Sequence, residues 1–302
     1  MRFLSPRFFV LTLALLTGNP AAAFTEEGGI PVSANLRLIS WLLAEPLCAD
    51  PDMTFVAAGP FWMGSDADER RLAYRLSSQA VRKAGWFEAE LTRQRQALPG
   101  FCIDRVLVTQ AQYVAFVTRA GHRPPGIEKD EYLRQGFLVH DYASEVTPSL
   151  WRDGSSPAHL AEHPVVLVSA ADAEAYCRWR HPGLRLPTEA EWEKAARGNH
   201  GWVFPWGHRW DPERLNSATR GPGGTTPVTR YPAGASSYGL FDAVGNVFQW
   251  TASAMADGRR VLKGCAWDDE AGLCRPAFRH GRPSESRHIL IGFRCAGPAE
   301  RP

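Results

Sequence analysis

The stretch VLKGCAWDDEAGLCRPAFRHGRPSESRHILIGFRC, residues 261–295, concentrates side chains able to do chemistry: Asp268, Asp269, Glu270, Arg275, Arg279, His280, Arg282 and His288. A planar guanidinium clamps a carboxylate through paired N–H donors, and a carboxyl with a shifted pKa moves protons. Cys274, Asp269, Glu270, Arg275, Arg279 and Arg282 are therefore the candidate catalytic residues. A polar peptide or a siderophore-like molecule is the substrate such a cluster would take. The alternative is equally physical: the same arginines can bond the loop to itself. Cys265 and Cys274 also stand open to two readings. A strained or exposed bridge between them would be a redox couple, whereas a static bridge or a buried thiol would be inert.

A second pattern, HLAEH at residues 159–163, matches the H-x-x-E-H arrangement of zinc proteases. That chemistry needs both histidines on one helix and a later acidic ligand. Pro157 and Pro164 bracket the segment and leave hardly more than one turn, so zinc hydrolysis is not expected.

The elements that must position these groups are short. Residues 53–65, MTFVAAGPFWMGS, read as a hairpin turning at Gly59-Pro60. Ser65 is expected to cap a charged helical stretch running to about Gln96, with Asp68 three residues on. Residues 101–117 pass from strand to helix with Thr109 as cap, HPVVLVS at 163–169 reads as a buried strand, and Ser169 starts a helix bearing Tyr176, Cys177 and Trp179. Thr188 and Glu191 have capping-box spacing after Pro187. Beyond Trp206 the chain is rich in Gly and Pro, and 11 Trp must help to fill a core that long helices do not.

Composition narrows the class. Arg2 and Arg7, the apolar run FFVLTLALLT and the small residues Ala21, Ala22 and Ala23 read as a secretory signal over residues 1–23. Its apolar core is too short to span a bilayer, and no other run reaches spanning length. An amphipathic helix is expected near residues 31–43, within an N-terminal extension over residues 24–50. Without Arg2 and Arg7 the 34 basic residues become 32, against 32 acidic ones. A near-neutral chain lacking a basic block interleaved with aromatics argues against nucleic acid as partner. Six cysteines in an exported, periplasmic chain can form disulfides, and Cys48 and Cys102 can pair with each other.

Four ordered pieces carry a family likeness: RLPTEAEWEKAAR at 185–197, FPWG at 204–207, GLFDAVGNVFQW at 239–250 and GFRCA at 292–296. Together they resemble the sulfatase-modifying-factor family, the formylglycine-generating enzymes and their relatives. The likeness runs from Met53 to Ala296 and puts the domain at residues 51–298. It implies an irregular α+β, C-type-lectin-like fold with short strands and few helices. It also implies a structural bridge between Cys177 and Cys295, while the animal enzymes' second bridge would fall at Ala196 and Arg279 and is missing.

In formylglycine generation two cysteines five residues apart hold copper(I) through soft thiolates. Alignment from Gly264 puts Asp269 at the first position, Cys274 at the second, and Ala266 at a neighbouring serine position. An aspartate and one thiolate do not make a two-sulfur copper site, so sulfatase activation is the least expected activity. A structural calcium is implied at Asp242, Gly245, Val247 and Gln249, with Gln249 in place of a glutamate. The family's other calcium site would begin at Asn216 and Ser217, and its later acidic ligand is missing. Sulfoxide synthases of the same domain type bind iron in a separate helical bundle, for which this chain has no room.

The signal, the insertion after WMGS and the CRPAFRHGRP loop resemble the subgroup of the periplasmic pyoverdine-maturation protein. On that likeness the chain is an exported maturation factor or oxidoreductase that oxidises a dihydro-chromophore on a modified peptide or siderophore precursor. The alternative is a noncatalytic lectin-like binding module, or a chaperone for an exported metalloenzyme.

Overall fold

The computed structural model describes Cys48, residues 50–136 and residues 140–299. The signal expected over residues 1–23 and the helix expected near 31–43 lie outside the described residues. Short strands and helices alternate irregularly around two buried hydrophobic clusters, the mixed α+β organisation that the family resemblance implies.

The chain enters through strands β1 (Met53–Val56) and β2 (Gly59–Met63). They do not form the expected hairpin with each other. β1 pairs antiparallel with β4 (Phe101–Asp104), and β2 with β3 (Gln94–Leu98). Gly59 and Pro60, the expected turn, instead lie inside β2, paired with Leu98 and Ala97. Between β2 and β3 lies the insertion, made of helices α1 (Ala67–Arg75) and α2 (Gln79–Ala84). The cap of α1 is Asp66, whose carboxylate accepts from Glu69 N at 2.9 Å; Ser65 instead accepts from Arg70 Nε at 2.9 Å. The helical stretch expected to reach Gln96 stops at Gly85, which ends α2 in the left-handed region at φ 65°.

Helices α3 (Gln110–Ala120), α4 (Lys129–Arg134), α5 (Ala170–Arg180) and α6 (Glu189–Arg197) follow. Thr109, Ser169 and Thr188 close capping boxes with Gln112, Asp172 and Glu191. Residues 163–169 are largely buried, but not as a strand: Pro164 makes one isolated bridge to Thr109, and Leu167 at φ 60° breaks the extended run.

The C-terminal half supplies a four-stranded sheet of β5 (Phe248–Ala254), β6 (Arg260–Lys263), β7 (Arg279–Arg282) and β8 (Ile291–Gly292), in the order β7-β6-β5-β8. β9 (Ala296–Pro298) returns to pair with β4. Trp192 on α6 and Trp250 on β5 are fully buried, and each places its ring N–H: Trp192 on Gln249 Oε1 at 2.6 Å, Trp250 on Val168 O at 3.0 Å. A buried indole retains stability only when that donor is satisfied.

Three disulfides staple the fold: Cys48–Cys102, Cys177–Cys295 and Cys265–Cys274. They occur where oxidising compartments allow them, consistent with an exported protein. Among the described residues no helix is long and apolar enough to cross a membrane.

Candidate functional site

The chemistry-bearing loop runs from Gly264 to Phe278, between β6 and β7. It is pinned at both ends by the fully buried Cys265–Cys274 bridge. Cys274 is therefore not a thiol, and the Asp269–Cys274 pair forms no two-sulfur site. Asp269 holds the loop's own turn: its carboxylate accepts from Ala266 N at 2.8 Å, and its carbonyl accepts from Ala218 N at 3.1 Å. Burial, with the charge of Asp268 beside it, pushes the Asp269 carboxyl up to about 8. Glu270 reaches away to accept from Ser78 N, the cap of α2.

The arginines also face away from any common site. Arg275 is fully buried and pairs with Glu69 at 3.1 Å and with Glu90, while its guanidinium stacks over Phe87 at 4.9 Å. Glu69 also receives Arg197 at 3.1 Å, and Glu193 receives Lys263 at 3.0 Å, so a buried ion network welds the insertion to α6 and β6. Arg279 pairs with Glu189 at 2.9 Å. That contact joins β7 to α6, the two elements that a bridge between positions 279 and 196 would have joined. Arg282 lines a small hollow with His280 and His288, where burial and the nearby Arg259 lower its pKa. Among the described residues, Asp269, Glu270, Arg275 and Arg279 are each engaged by a backbone or acidic partner, and Cys274 by its bridge.

The fold gathers a different set. A cleft of about 410 Å³ is lined by Glu145, His159, His163, Thr225, Trp267 and Ile289, among others. Its size falls in the range of small-ligand sites. The dismissed HLAEH segment supplies two of these side chains. Its short 3-10 turn, Ala158–Leu160, is no protease helix, but it presents His159 and His163 to the same space. Burial, then the proximity of His159, holds His163 below the usual histidine range, and its Nδ1 lies 2.9 Å from Thr225 Oγ1. A neutral imidazole in a cleft can accept a proton at neutral pH.

Behind the cleft wall stands His140. Its Nδ1 lies 3.0 Å from Glu145 Oε1 and its Nε2 2.9 Å from Asp268 Oδ2. Both ring nitrogens face carboxylates, so the hydrogen bond to Asp268, then that to Glu145, raises the histidine's pKa against its burial. Tyr132 donates to His140 O at 3.2 Å and sits 3.0 Å from His288 Nε2, which fixes the backbone at this point. Asp268 was in view in the sequence. His140 and Glu145 lie in an aperiodic region without a motif, and no local signal marks them.

The residues implied for calcium meet in space, but oxygens of Asp242, Gly245 and Gln249 are turned to N–H donors. Gln249 Oε1 accepts from Trp192 Nε1 at 2.6 Å and Arg294 Nε at 2.7 Å. The Asp242 carbonyl accepts from Gln249 Nε2 at 2.8 Å and from the Arg294 guanidinium at 3.1 Å, and Gly245 O accepts from Val247 N at 2.9 Å. Asp242 accepts from Asn246 Nδ2 at 2.8 Å, and burial pushes its carboxyl up to about 7. A guanidinium and an amide N–H stand where a cation would need open lone pairs, so Asp242, Gly245, Val247 and Gln249 do not fit calcium in this arrangement. Gly245, at φ 85°, lets the turn press on Asn216 O, which a Cβ would meet at 2.6 Å. Asn216 Oδ1 and Ser217 Oγ are buried acceptors without a hydrogen-bond donor.

A family profile described as the sulfatase-modifying factor enzyme 1-like domain matches residues 43–299. The chain belongs to this family. Within it, the chain is 34% identical to the inactive C-alpha-formylglycine-generating enzyme 2 of Mus musculus, over 88% of this chain and 93% of the relative. It is 32% identical to the hercynine oxygenase of Mycolicibacterium smegmatis, over 66% of this chain and 53% of that one. The solved structure of PvdO from Pseudomonas aeruginosa superposes with a TM-score of 0.63 at 21% identity, covering 84% of this chain and 99% of that one. This last likeness is one of fold. The sulfatase-modifying-factor scaffold is thus kept here, while the copper-binding cysteine pair implied by the resemblance is replaced by an acid and a bridged cysteine.

Proposed function

We propose that the chain is an exported oxidoreductase of maturation, which oxidises a dihydro-chromophore on a modified peptide or siderophore precursor of the pyoverdine type. The observation that carries this reading is the cleft in which a neutral His163, the Glu145 carboxylate and the Trp267 ring meet. Oxidation removes two electrons and two protons from the substrate; dioxygen takes up both pairs and leaves as hydrogen peroxide. His163 accepts a proton from the ring being oxidised, Trp267 gives the ring a flat wall, and Glu145, held by His140, orients it. An oxygenase among the relatives at 32% identity supports an oxidative role for this scaffold.

The test is direct. Purified protein with all three bridges intact is mixed with a dihydro-chromophore precursor peptide, and chromophore absorbance and dioxygen uptake are followed together. Turnover with one dioxygen consumed per chromophore is expected. His163→Asn should slow it about a hundredfold or more, the usual loss for a general base.

A second reading, a noncatalytic binding module or chaperone for an exported metalloenzyme, is favoured by two observations. Every cysteine of the described chain is bridged, and the relative at 34% identity is itself named inactive. Saturable binding of the precursor without dioxygen uptake would establish that reading over the first.

A further inference from the structure

The cleft has a charge of one sign. Among the described residues that line it there is one carboxylate, Glu145, and no lysine or arginine. Arg220, the nearest arginine in sequence to the lining residues Pro222 to Thr225, is taken up by Glu213 at 2.8 Å. Burial, then the proximity of His159, lowers the pKa of His163, so that ring adds no fixed positive charge. His140 in its protonated form donates to both Glu145 and Asp268, so the three together carry one net negative charge. The Glu145 side chain is 41% exposed, so part of that charge is presented to whatever enters the cleft. Trp267 adds an indole wall, held by its backbone N–H on Asn246 O at 3.0 Å and by the ring of His140 5.1 Å away.

We infer that the cleft selects a cationic ligand: a protonated amine or guanidine carried beside a planar ring, the cation set against Glu145 and the ring against Trp267. A carboxylate and an aromatic face hold the two parts of such a ligand together: the charge attracts the cation and the indole takes the planar ring. The arginines Arg275 and Arg279, which suggested a carboxylate-bearing ligand, are spent on Glu69, Glu90 and Glu189 and leave no anion site there. This inference names the ligand class of the cleft used in the proposed function and rests on that use of it.

The test uses three probes of matched size on the full chain: phenethylamine, 2-phenylethanol and 3-phenylpropionate, measured by calorimetric titration at low and moderate salt. Phenethylamine should bind at least about tenfold more tightly than the alcohol, the effect of one partly screened charge contact, and its affinity should fall with salt. Phenylpropionate should not compete with it. Glu145→Gln should weaken the amine about tenfold and leave the alcohol unchanged, with the melting temperature reporting an intact fold. Ser149→Lys, which adds a cation at the rim without touching the His140 contacts, should do the same. Equal affinity for all three probes, preference for the anion, no binding by any, or indifference to both variants overturns the inference. Turnover of the precursor without amine selectivity would leave the proposed oxidation standing while sinking the cation site. Amine selectivity without turnover would do the reverse.

Discussion

The Asp268 carboxylate lies 2.9 Å from Nε2 of His140, a residue 128 positions earlier in the chain. This contact ties the disulfide-pinned loop to the wall of the cleft, and its strength depends on the histidine's proton. His140 has a raised pKa, chiefly through the bond to Asp268. Its contribution to stability is therefore complete below the ordinary histidine pKa and lost as pH rises through the folded value. Asp268→Asn should move the His140 titration down towards acid in an NMR pH series. A His140 titration that stays in place would show that the two groups do not share a proton-dependent bond.

Arg275 belongs to the architecture. Removing it leaves the Glu69 and Glu90 carboxylates buried beside each other with one guanidinium fewer. Arg275→Met should cost about 3–5 kcal/mol, the usual result of breaking a buried pair from one side. Denaturant unfolding checks it. A loss of activity at unchanged stability would instead return Arg275 to the catalytic machinery.

Cys274 should be dispensable for the chemistry. Non-reducing peptide mapping should find Cys48 with Cys102, Cys177 with Cys295 and Cys265 with Cys274. The double variant Cys265→Ala, Cys274→Ala should keep turnover of the precursor, because the cleft does not use either sulfur. Abolished turnover in a folded double variant would reinstate a redox couple. Cys177→Ser opens a bridge spanning 118 positions and should lower stability by about 4–5 kcal/mol on the chain-entropy account. An unchanged melting temperature would show that this bridge adds nothing.

Buried titrating groups oppose one another across the acid range. Burial holds both His280 and His288 down at about 3, so each stabilises the fold above the ordinary histidine pKa and loses that contribution as pH falls. Burial raises Asp242 to about 7 and Asp269 to about 8, so each stabilises the fold when protonated and loses that contribution as pH rises through those values. Between roughly pH 4 and 6.5 the two effects offset, at about 1.4 kcal/mol per pH unit for each group. His280→Phe removes one histidine and should tilt the balance, making the variant gain stability relative to the wild-type chain as pH falls from 7 to 4.5. Parallel stability curves for the two proteins would show that His280 is not held neutral by the fold.

Much of the local structure was legible in the residues. Thr109 and Ser169 start helices where they are expected to, and Thr188 with Glu191 closes the capping box that its spacing implies. These bonds close within three residues, so no distant partner can change them. The motif set from residue 185 to residue 296 likewise marked the family, because it records local turns and buried tryptophans that the scaffold requires. The Cys177–Cys295 bridge was legible only through that likeness.

What the chain order could not convey is which way each charged side chain faces. Arg275, Arg279 and Asp269 look like one catalytic cluster in sequence, yet folding sends them to Glu69 and Glu90, to Glu189, and to the loop's own backbone. The β1 and β2 strands look like a hairpin and enter different sheets. Glu145, His163 and Trp267 look unrelated and wall one cleft, with His140 bonded to Glu145 and set against the Trp267 ring behind it. Periodicity and capping report interactions among near neighbours, whereas the pairing of buried charges and the lining of a cavity are set by distances that exist only once the chain has closed on itself.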